Sequence, residues 1–386
     1  MSETRQSESR SHDLVVVGAG VIGLAIAWHA ARRGLRPLVL EAAEPASGAT
    51  GVAAGMLAPV TEADFGEERL LEANLASARL YPEFVAELEA SGGMTTGYRP
   101  TGALHVAVDR DQAEELERLH ALQHSLGLEA RWLAASECRA LEPSLSTRVA
   151  GGIDAPGDHQ VSPRLLTAAL RAALEREGGS VRCGARARSI ALEGGETAGV
   201  VIDLDELVAA RMVVIAAGAR SAALELPGRA EVPIRPVKGQ ILRLRGEPGE
   251  PIAGRIVRTP EVYAVPRGDG RLIVGATVEE KGFDASVTAG GVLELLRSAY
   301  DVLPGIGELE LVEASVGHRP ATPDNEPVIG EAEVPGLVWA SGHWRNGVLL
   351  APLTARAVVA LIADGETRPE VRGFSPRRFA PAEMAS

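Results

Sequence analysis

The feature that most constrains this sequence is Gly18-Ala19-Gly20-Val21-Ile22-Gly23, set between a short apolar run (Asp13 to Val17) and a stretch with helical spacing (Val21 to Arg33). A second apolar run, Leu38 to Glu41, follows Gly34. Strand, glycine turn, helix and strand in that order make one β-α-β unit. The first glycine allows the tight turn, the second lets a backbone approach a pyrophosphate, and the third lets helix and strand pack closely. Unpaired N–H groups and the dipole at the helix start favour phosphate charge. Glu41 ends the second strand, where a carboxylate can accept hydrogen bonds from both ribose hydroxyls of an adenine nucleotide. A dinucleotide is the expected ligand, and these residues leave NAD and FAD both open.

The rest of the 386-residue chain is long enough for two or three domains, or for one discontinuous large one. Its 43 glycines and 24 prolines, against only 4 Trp, 4 Tyr and 5 Phe, imply many tight turns and a core of Ala, Val, Leu and Ile. The Gly/Ala stretch from Gly48 to Gly55 precedes an amphipathic helix from about Arg69 to Glu89. Tyr98 to Val108 reads as a hairpin around Thr101-Gly102, and Asp111-Gln-Ala-Glu114 as a capping box. Ser162-Pro163 starts a helix with apolar face Leu166, Leu170, Ala173 and Leu174, ended by Gly178-Gly179. Strands then dominate: Val200 to Leu204, Leu207 to Ile215, Gly239 to Leu244, Val262 to Val265 and Leu272 to Val274. A helix over Val292 to Val302 precedes two last strands and a closing helix, Leu349 to Ala363.

Parallel units at both ends with a strand-rich middle predict an α/β fold in which a second domain is inserted into a Rossmann-like one. The expected division is a disordered tail over 1–12, a nucleotide-binding domain over 13–82, 145–228 and 310–370, a substrate domain over 83–144 and 229–309, and a second tail over 371–386.

Several classes are excluded. A net charge of −13 without a basic cluster argues against nucleic acid. Cys138 and Cys183 lie far apart with no CxxC spacing, which supports neither a disulfide framework nor a cysteine metal site and fits a reducing, cytoplasmic setting. The apolar run Leu14 to Trp28 follows Arg5 and Arg10 as in a signal peptide. Three glycines interrupt it, however, and it falls short of the ~20 residues of a membrane span. His120 and His124 have the spacing of a metal pair, but Ala121 replaces the glutamate of HExxH, so a solvated helix face is expected. Glu114, Glu115 and Glu117 read as surface, with Glu114 able to pair with Arg118. No paired carboxylates or Ser/His/Asp constellation stand out for acid/base work.

Val213 to Ala219 is a buried strand entering a small-residue turn, open to two readings: an ordinary crossover, or a second backbone approach to the dinucleotide at Gly218. The C-terminal motifs are Gly317-His-Arg319-Pro, Asp324 to Gly330, and His343-Trp-Arg345-Asn-Gly347-Val-Leu-Leu350. The last is a glycine-containing loop opening an apolar helix, whose N–H groups and dipole would stabilise negative charge at a flavin ring placed beside them. Arg345 is unfavourable at a helix N-terminus and needs another reason to be there.

With Glu41, GATGVAAGM, VYAVPR (262–267), VGAT (274–277), GHRP (317–320) and GHWRNGVLLAP (342–352), nearly the whole chain resembles the FAD-dependent D-amino-acid oxidase superfamily, and within it the glycine oxidases. The resemblance implies that Gly18, Gly20, Val21, Ile22, Gly23, Glu41 and Ala42 hold the adenosine and pyrophosphate. Thr50, Gly51, Ala54, Gly55 and Met56 would run beside the flavin, and Arg188 would touch the adenine side through its backbone. His343, Trp344, Arg345, Asn346, Gly347, Val348 and Leu349 would line the isoalloxazine. Arg319 would pair bidentately with a substrate carboxylate, for which the planar guanidinium is suited, and Tyr263 would donate to the same group. Arg345 would lie near the substrate, and Glu261 and Val278 near the pocket. The implied activity is oxidative deamination of glycine, other small amines or D-amino acids by hydride transfer to flavin. Oxygen would reoxidise the flavin to give peroxide, and the imine would become glyoxylate and ammonia or feed thiazole synthesis for thiamine. Sarcosine, proline or a 2-hydroxy acid as substrate, a quinone as acceptor, and a flavin protein serving mainly a partner are the competing readings. A homotetramer is implied as well.

No cysteine follows Cys183, so the C-terminal thiolate that tethers flavin in some relatives of this superfamily is missing and the FAD is expected to be non-covalent. The purified protein should show flavin absorbance, and acid precipitation should move all of that absorbance to the supernatant. A protein without flavin bands would return the first 41 residues to an NAD-dependent dehydrogenase.

Overall fold

The computed structural model describes residues 12–226 and 232–379. In chain order its strands are β1 (His12–Val17), β2 (Pro37–Leu40), β3 (Met56–Leu57), β4 (Ala103–Ala107), β5 (Arg131–Ala134), β6 (Gly151–Ala155), β7 (His159–Gln160), β8 (Ser180–Arg182), β9 (Ala187–Glu193), β10 (Glu196–Ile202), β11 (Leu207–Ile215), β12 (Arg235–Arg245), β13 (Ile256–Arg258), β14 (Tyr263–Pro266), β15 (Arg271–Gly275), β16 (Glu310–Ala321), β17 (Val328–Glu331) and β18 (Leu337–Ser341). The helices are α1 (Val21–Arg32), α2 (Ala49–Val52), α3 (Glu68–Gly92), α4 (Arg110–Ser125), α5 (Ala135–Leu141), α6 (Pro163–Arg176), α7 (Ala289–Val302) and α8 (Gly347–Asp364).

Two large sheets organise these elements. The first runs β17-β18-β11-β1-β2-β8, parallel except for β17, with β10 and β9 continuing from β11 as an antiparallel meander. Its central strand β1 is apolar at successive positions because both faces are covered. Leu14 and Val16 pack under α1, α3, α6 and α8, while Val15 and Val17 face the layer containing Ile190, Val200 and Leu224. The second sheet runs β16-β12-β15-β14-β13-β4-β6-β5, antiparallel except between β13 and β4, with α7 on one face. This is the expected Rossmann-like layer joined to a strand-rich α+β layer.

The run Leu14 to Trp28 is core and not a leader: it forms β1 and α1, and every residue of α1 except His29 and Arg32 is buried. Among the described residues one helix, α8, is long and apolar enough to cross a membrane by length and composition, but 61% of it is buried inside the fold.

Several local expectations differ from the structure. Tyr98 to Val108 is not a hairpin: Arg99 exchanges two backbone hydrogen bonds with Gln160 (2.8 and 3.1 Å), and β4 pairs with β6 and β13. The cap of α4 is two residues early, with the Asp109 carboxylate accepting from Gln112 N–H (2.9 Å) and the Gln112 amide oxygen accepting from Val108 N–H (3.0 Å). Glu114 pairs with Arg110, not Arg118. Ser162 does precede α6, with Pro163 in its first turn, though its hydroxyl makes no cap. Strands β6 and β16, placed by sequence with the nucleotide-binding segments, belong to the second sheet. Residues 371–379 are no free tail, since Val371 and Phe374 are buried against the first core. His12 begins β1. The remainder of both expected tails, and the 228/229 boundary, lie outside the described residues.

Pro352 sits inside α8 and cannot donate to the Val348 carbonyl one turn back. Two side chains of α3 compensate: Tyr81 Oη donates to the Val348 carbonyl (2.8 Å), and Ser77 Oγ to that of Leu349 (2.6 Å). Tyr81→Phe should therefore cost about 1–3 kcal/mol, the penalty of a buried acceptor left unmade. In a Pro352→Ala background, where the helix supplies its own N–H, urea unfolding should show a smaller cost, and equal costs would refute this account.

Candidate active site

The nucleotide end is built from backbone approaches that a side chain would block. Gly18 has φ +107°, and a Cβ there would stand 2.5 Å from the Ala216 carbonyl oxygen; a Cβ on Gly23 would collide with the Gly18 carbonyl. Ala216 N–H donates to Val17 (2.9 Å), so the turn leading to Gly218 does approach the glycine turn. Gly218 accepts from Ser341 Oγ (3.1 Å), which fixes the turn to β18. At the helix start, Val21 N–H donates to Thr50 Oγ1 (3.2 Å), beside Gly20. Ile22 and Gly23 follow in the first turn, where helical N–H groups lack intrahelical partners. The Glu41 carboxylate accepts from Ala19 N–H (2.8 Å) and Ala43 N–H (3.0 Å), with Ala42 exposed between. Arg188 stands in β9, its carbonyl accepting from Glu225 N–H (2.9 Å) and its exposed side chain running toward Asp205.

The Gly/Ala stretch leads from this end toward the second sheet. Guanidinium groups hold its carbonyls: Gly51 accepts from Arg164 Nε (2.8 Å) and Arg243 Nη2 (2.9 Å), and Ala54 from Arg267 Nη2. Gly55, at φ +79°, accepts from Val161 N–H (2.9 Å), and Met56 pairs with Gln160. A cavity of about 480 Å³ lies along this stretch, between Glu44 to Val52 and the Arg164 to Arg171 side of α6.

The other pole lies on the second sheet. Arg319 on β16 and Tyr263 on β14 sit over two glycines of intervening strands. A Cβ on Gly275 would be 2.5 Å from Tyr263 Oη, and one on Gly239 would collide with the Arg319 guanidinium. Sequence reading missed both glycines as site residues; a glycine inside a strand was the available signal. Arg319 Nη1 donates to the carbonyls of Thr277 (3.0 Å) and Lys238 (3.5 Å), and its Cζ lies 5.9 Å from the Trp344 ring. Trp344 itself has φ +47° and donates its N–H to Pro320 (2.9 Å), beside Arg319. Burial pushes the Tyr263 phenol up, against the opposing effect of Arg319, so it remains a donor.

Other expected residues hold the surroundings. Arg345 reaches the Glu62 carbonyl (3.3 Å) and the Glu67 carboxylate (3.4 Å), which is what brings a cation to that helix start. Arg258, unforeseen, donates to the Thr61 carbonyl (2.8 Å) and lies 3.6 Å from Glu62. The His343 imidazole faces inward to Thr354 (3.0 Å); burial lowers its pKa to about 3, so it is neutral, and its carbonyl accepts from Asn346 N–H (2.9 Å). Asn346, buried, precedes Gly347 and the turn containing Val348 and Leu349. Glu261 accepts from Gln112 Nε2 (2.8 and 2.7 Å) and so holds α4, whereas Val278 is 65% exposed. Among the described residues no group of three or more His, Cys, Asp or Glu could hold a metal, and His120 instead reaches the Ala130 carbonyl.

A glycine turn at a helix start, a carboxylate at the end of the next strand and a backbone track leading to an Arg/Tyr pole fit an extended dinucleotide. A family model described as FAD dependent oxidoreductase matches residues 13–361. The chain belongs to that family. FAD is its cofactor, and it is an oxidoreductase. The chain is 36% identical over 372 residues to the bifunctional protein ThiO/ThiG of Synechocystis sp., covering 95% of this chain and 54% of that protein. It thus spans about half the length of that relative. It is 35% identical over 370 residues to the glycine oxidase of Geobacillus kaustophilus, covering 95% and 97%. The solved structure of the Geobacillus kaustophilus glycine oxidase matches with a TM-score of 0.88, covering 95% of this chain and 99% of that one at 35% identity. That of iminodiacetate oxidase from Chelativorans sp. matches with 0.84, covering 94% and 98% at 29% identity.

Residues of the glycine turn, Glu41, Gly51 to Met56 and the Asn346 to Leu349 turn would hold the FAD. Glu41→Ala removes both the ribose acceptor and the acceptor for Ala19 N–H. Loss of charge-assisted hydrogen bonds should raise the dissociation constant for FAD by about tenfold or more, read as flavin fluorescence passing an ultrafiltration membrane. Retention equal to wild type would remove Glu41 from that role.

Proposed function

We propose that this flavoenzyme oxidises glycine and other small amino acids at the α-carbon. Glycine, oxygen and water would give glyoxylate, ammonia and hydrogen peroxide, or the imine would pass on to thiazole synthesis in thiamine biosynthesis. The observation that carries the reading is the Arg319/Tyr263 pole on the second sheet, at the end of the backbone track from the dinucleotide turn. The glycine oxidase and ThiO/ThiG names of relatives at 35% and 36% identity support it.

When bound, FAD supplies the two-electron acceptor for the α-carbon hydride. The chain's own residues bind and orient. Arg319 spends Nη1 on two backbone carbonyls and keeps its Nε–Nη2 edge for a carboxylate, while the protonated Tyr263 phenol donates to the same group. Two contacts to one small anion fix its direction, which is the main service a protein can give when a cofactor carries the chemistry. The Trp344 ring lies beside the Arg319 guanidinium, 5.9 Å from Cζ. With the amine neutral before reaction, no base acting on the α-carbon is needed, and none is assigned. A cytoplasmic homotetramer completes the reading; the two cysteines, both free, are in keeping with a reducing compartment.

Arg319→Ala should stay yellow and FAD-loaded while KM for glycine rises by about a hundredfold or more, since two charge-assisted hydrogen bonds are lost. In wild type, peroxide and glyoxylate should appear one to one. Unchanged kinetics would remove Arg319 from substrate binding, and glyoxylate without peroxide would point to an acceptor other than oxygen.

A further inference from the structure

Lys238 is the largest charged side chain among the described residues that is wholly shut off from solvent, with 0% of it exposed. Its Nζ lies 2.6 Å from the Asp284 carboxylate and 3.6 Å from that of Glu279. Both acids belong to the segment after β15, whose apolar side chains stay out of the core: Val278, Phe283 and Val287 are 65%, 42% and 42% exposed, with Phe283 lying against His318 and Arg220 and the His318 ring reaching the Asp284 carbonyl (3.0 Å). Polar contacts to β12 add to that hold. Lys238 and Glu279 exchange two backbone hydrogen bonds (3.0 and 2.9 Å). Gln240 N–H donates to Thr277 Oγ1 (2.9 Å), and Gln240 Nε2 donates to Glu279 (2.7 Å) and Thr288 Oγ1 (3.0 Å). The hydrogen bonds from Lys238 and Ser286 hold the Asp284 carboxyl down to about 2.

A buried lysine is rare unless paired, and such a pair gains little stability over a well-packed apolar side chain, because the ammonium loses its water. What an ion pair gives that an apolar contact does not is a single register. Here that register fixes Thr277, whose carbonyl accepts from Arg319 Nη1 (3.0 Å), next to the Lys238 carbonyl (3.5 Å).

We propose that Lys238 is a positioning residue for carboxylate recognition: its pairing with Asp284 and Glu279 closes the 277–284 segment on β12 and so sets the two carbonyls that aim Arg319. The inference rests on the reading that Arg319 takes the substrate carboxylate.

The test uses the FAD-loaded enzyme and acetate, a carboxylate without an amine, whose binding is followed by perturbation of the flavin absorbance. In Lys238→Met the acetate Kd and the glycine KM should rise together, by about tenfold or more, with kcat and FAD content little changed. A merely structural lesion would instead lower FAD content and kcat. Asp284→Asn, at the exposed partner, should move both constants in the same direction by less, and it carries the test if Lys238→Met does not fold. Acetate Kd and KM within about twofold of wild type in the folded variants would overturn the proposal. If Arg319→Ala weakens acetate binding while the Lys238 and Asp284 variants do not, the positioning role alone fails. If Arg319→Ala leaves acetate binding intact, the carboxylate reading fails with it.

Discussion

Helix α1 can lie on β1 only because Gly18 and Gly23 carry no side chain. A methyl group on Gly23 would meet the Gly18 carbonyl, and one on Gly18 would meet Ala216 at 2.5 Å and face a φ of +107°. Either clash would push α1 off the sheet, since a packed interior absorbs added volume only by shifting its backbone. Much else is registered to that contact. The helix packs on α8 and α6, α8 begins with the Asn346 to Leu349 turn, and the Ala216 turn continues into Gly218. One close approach thus aligns three separate chain segments around the place where a dinucleotide phosphate would sit.

A second constraint joins the two sheets. The Gly/Ala stretch has few side chains with which to pack, so its position is set through its carbonyl groups. Arg164 and Arg243 meet at Gly51, Arg267 reaches Ala54, and Arg258 reaches Thr61. Arg243, Arg258 and Arg267 come from the second sheet or its adjoining loop, so the track beside the nucleotide turn is pinned by the layer that contains Arg319 and Tyr263. Each buried guanidinium also needs acceptors for its own donors, and backbone carbonyls of a side-chain-poor stretch supply them.

How much of this was legible follows from the range of the contacts. The β1 turn, α1 and Glu41 form one local unit, and their residue pattern states their function directly. Helices with a cap or proline signal, such as α6, were legible to within a few residues; at α4 two candidate caps compete, and Asp109 takes the place, its carboxylate accepting from Gln112 N–H while the Gln112 amide oxygen accepts from Val108 N–H. What sequence could not assign was partnership at long range. Strand β6 follows a segment expected in the first layer, yet its Gly151 and Gly152 let β5 and β4 close on either side. Likewise Gly239 and Gly275 look like weak points in strands until Arg319 and Tyr263 are seen lying on them. Arg319 and Tyr263 were accessible only through resemblance, because nothing adjacent to either in sequence says what stands opposite.

The net charge of −13 gave no hint of so cationic an interior, and the choice of cation there has a physical reason. Burial lowers the proton affinity of Arg243, Arg258 and Arg267, the last to about 10. A guanidinium begins so high that it stays charged after such a loss, and its planar fork can bridge several carbonyls. An ammonium starts lower and is more strongly hydrated, so in the same position it would be far closer to neutrality. The buried lysine of this region is accordingly met by two carboxylates, whereas Arg243 and Arg258 each face one, Glu313 or Glu62, and donate to backbone carbonyls as well. An acidic protein can thus present permanent positive charge to a small carboxylate from within, while its surface remains anionic.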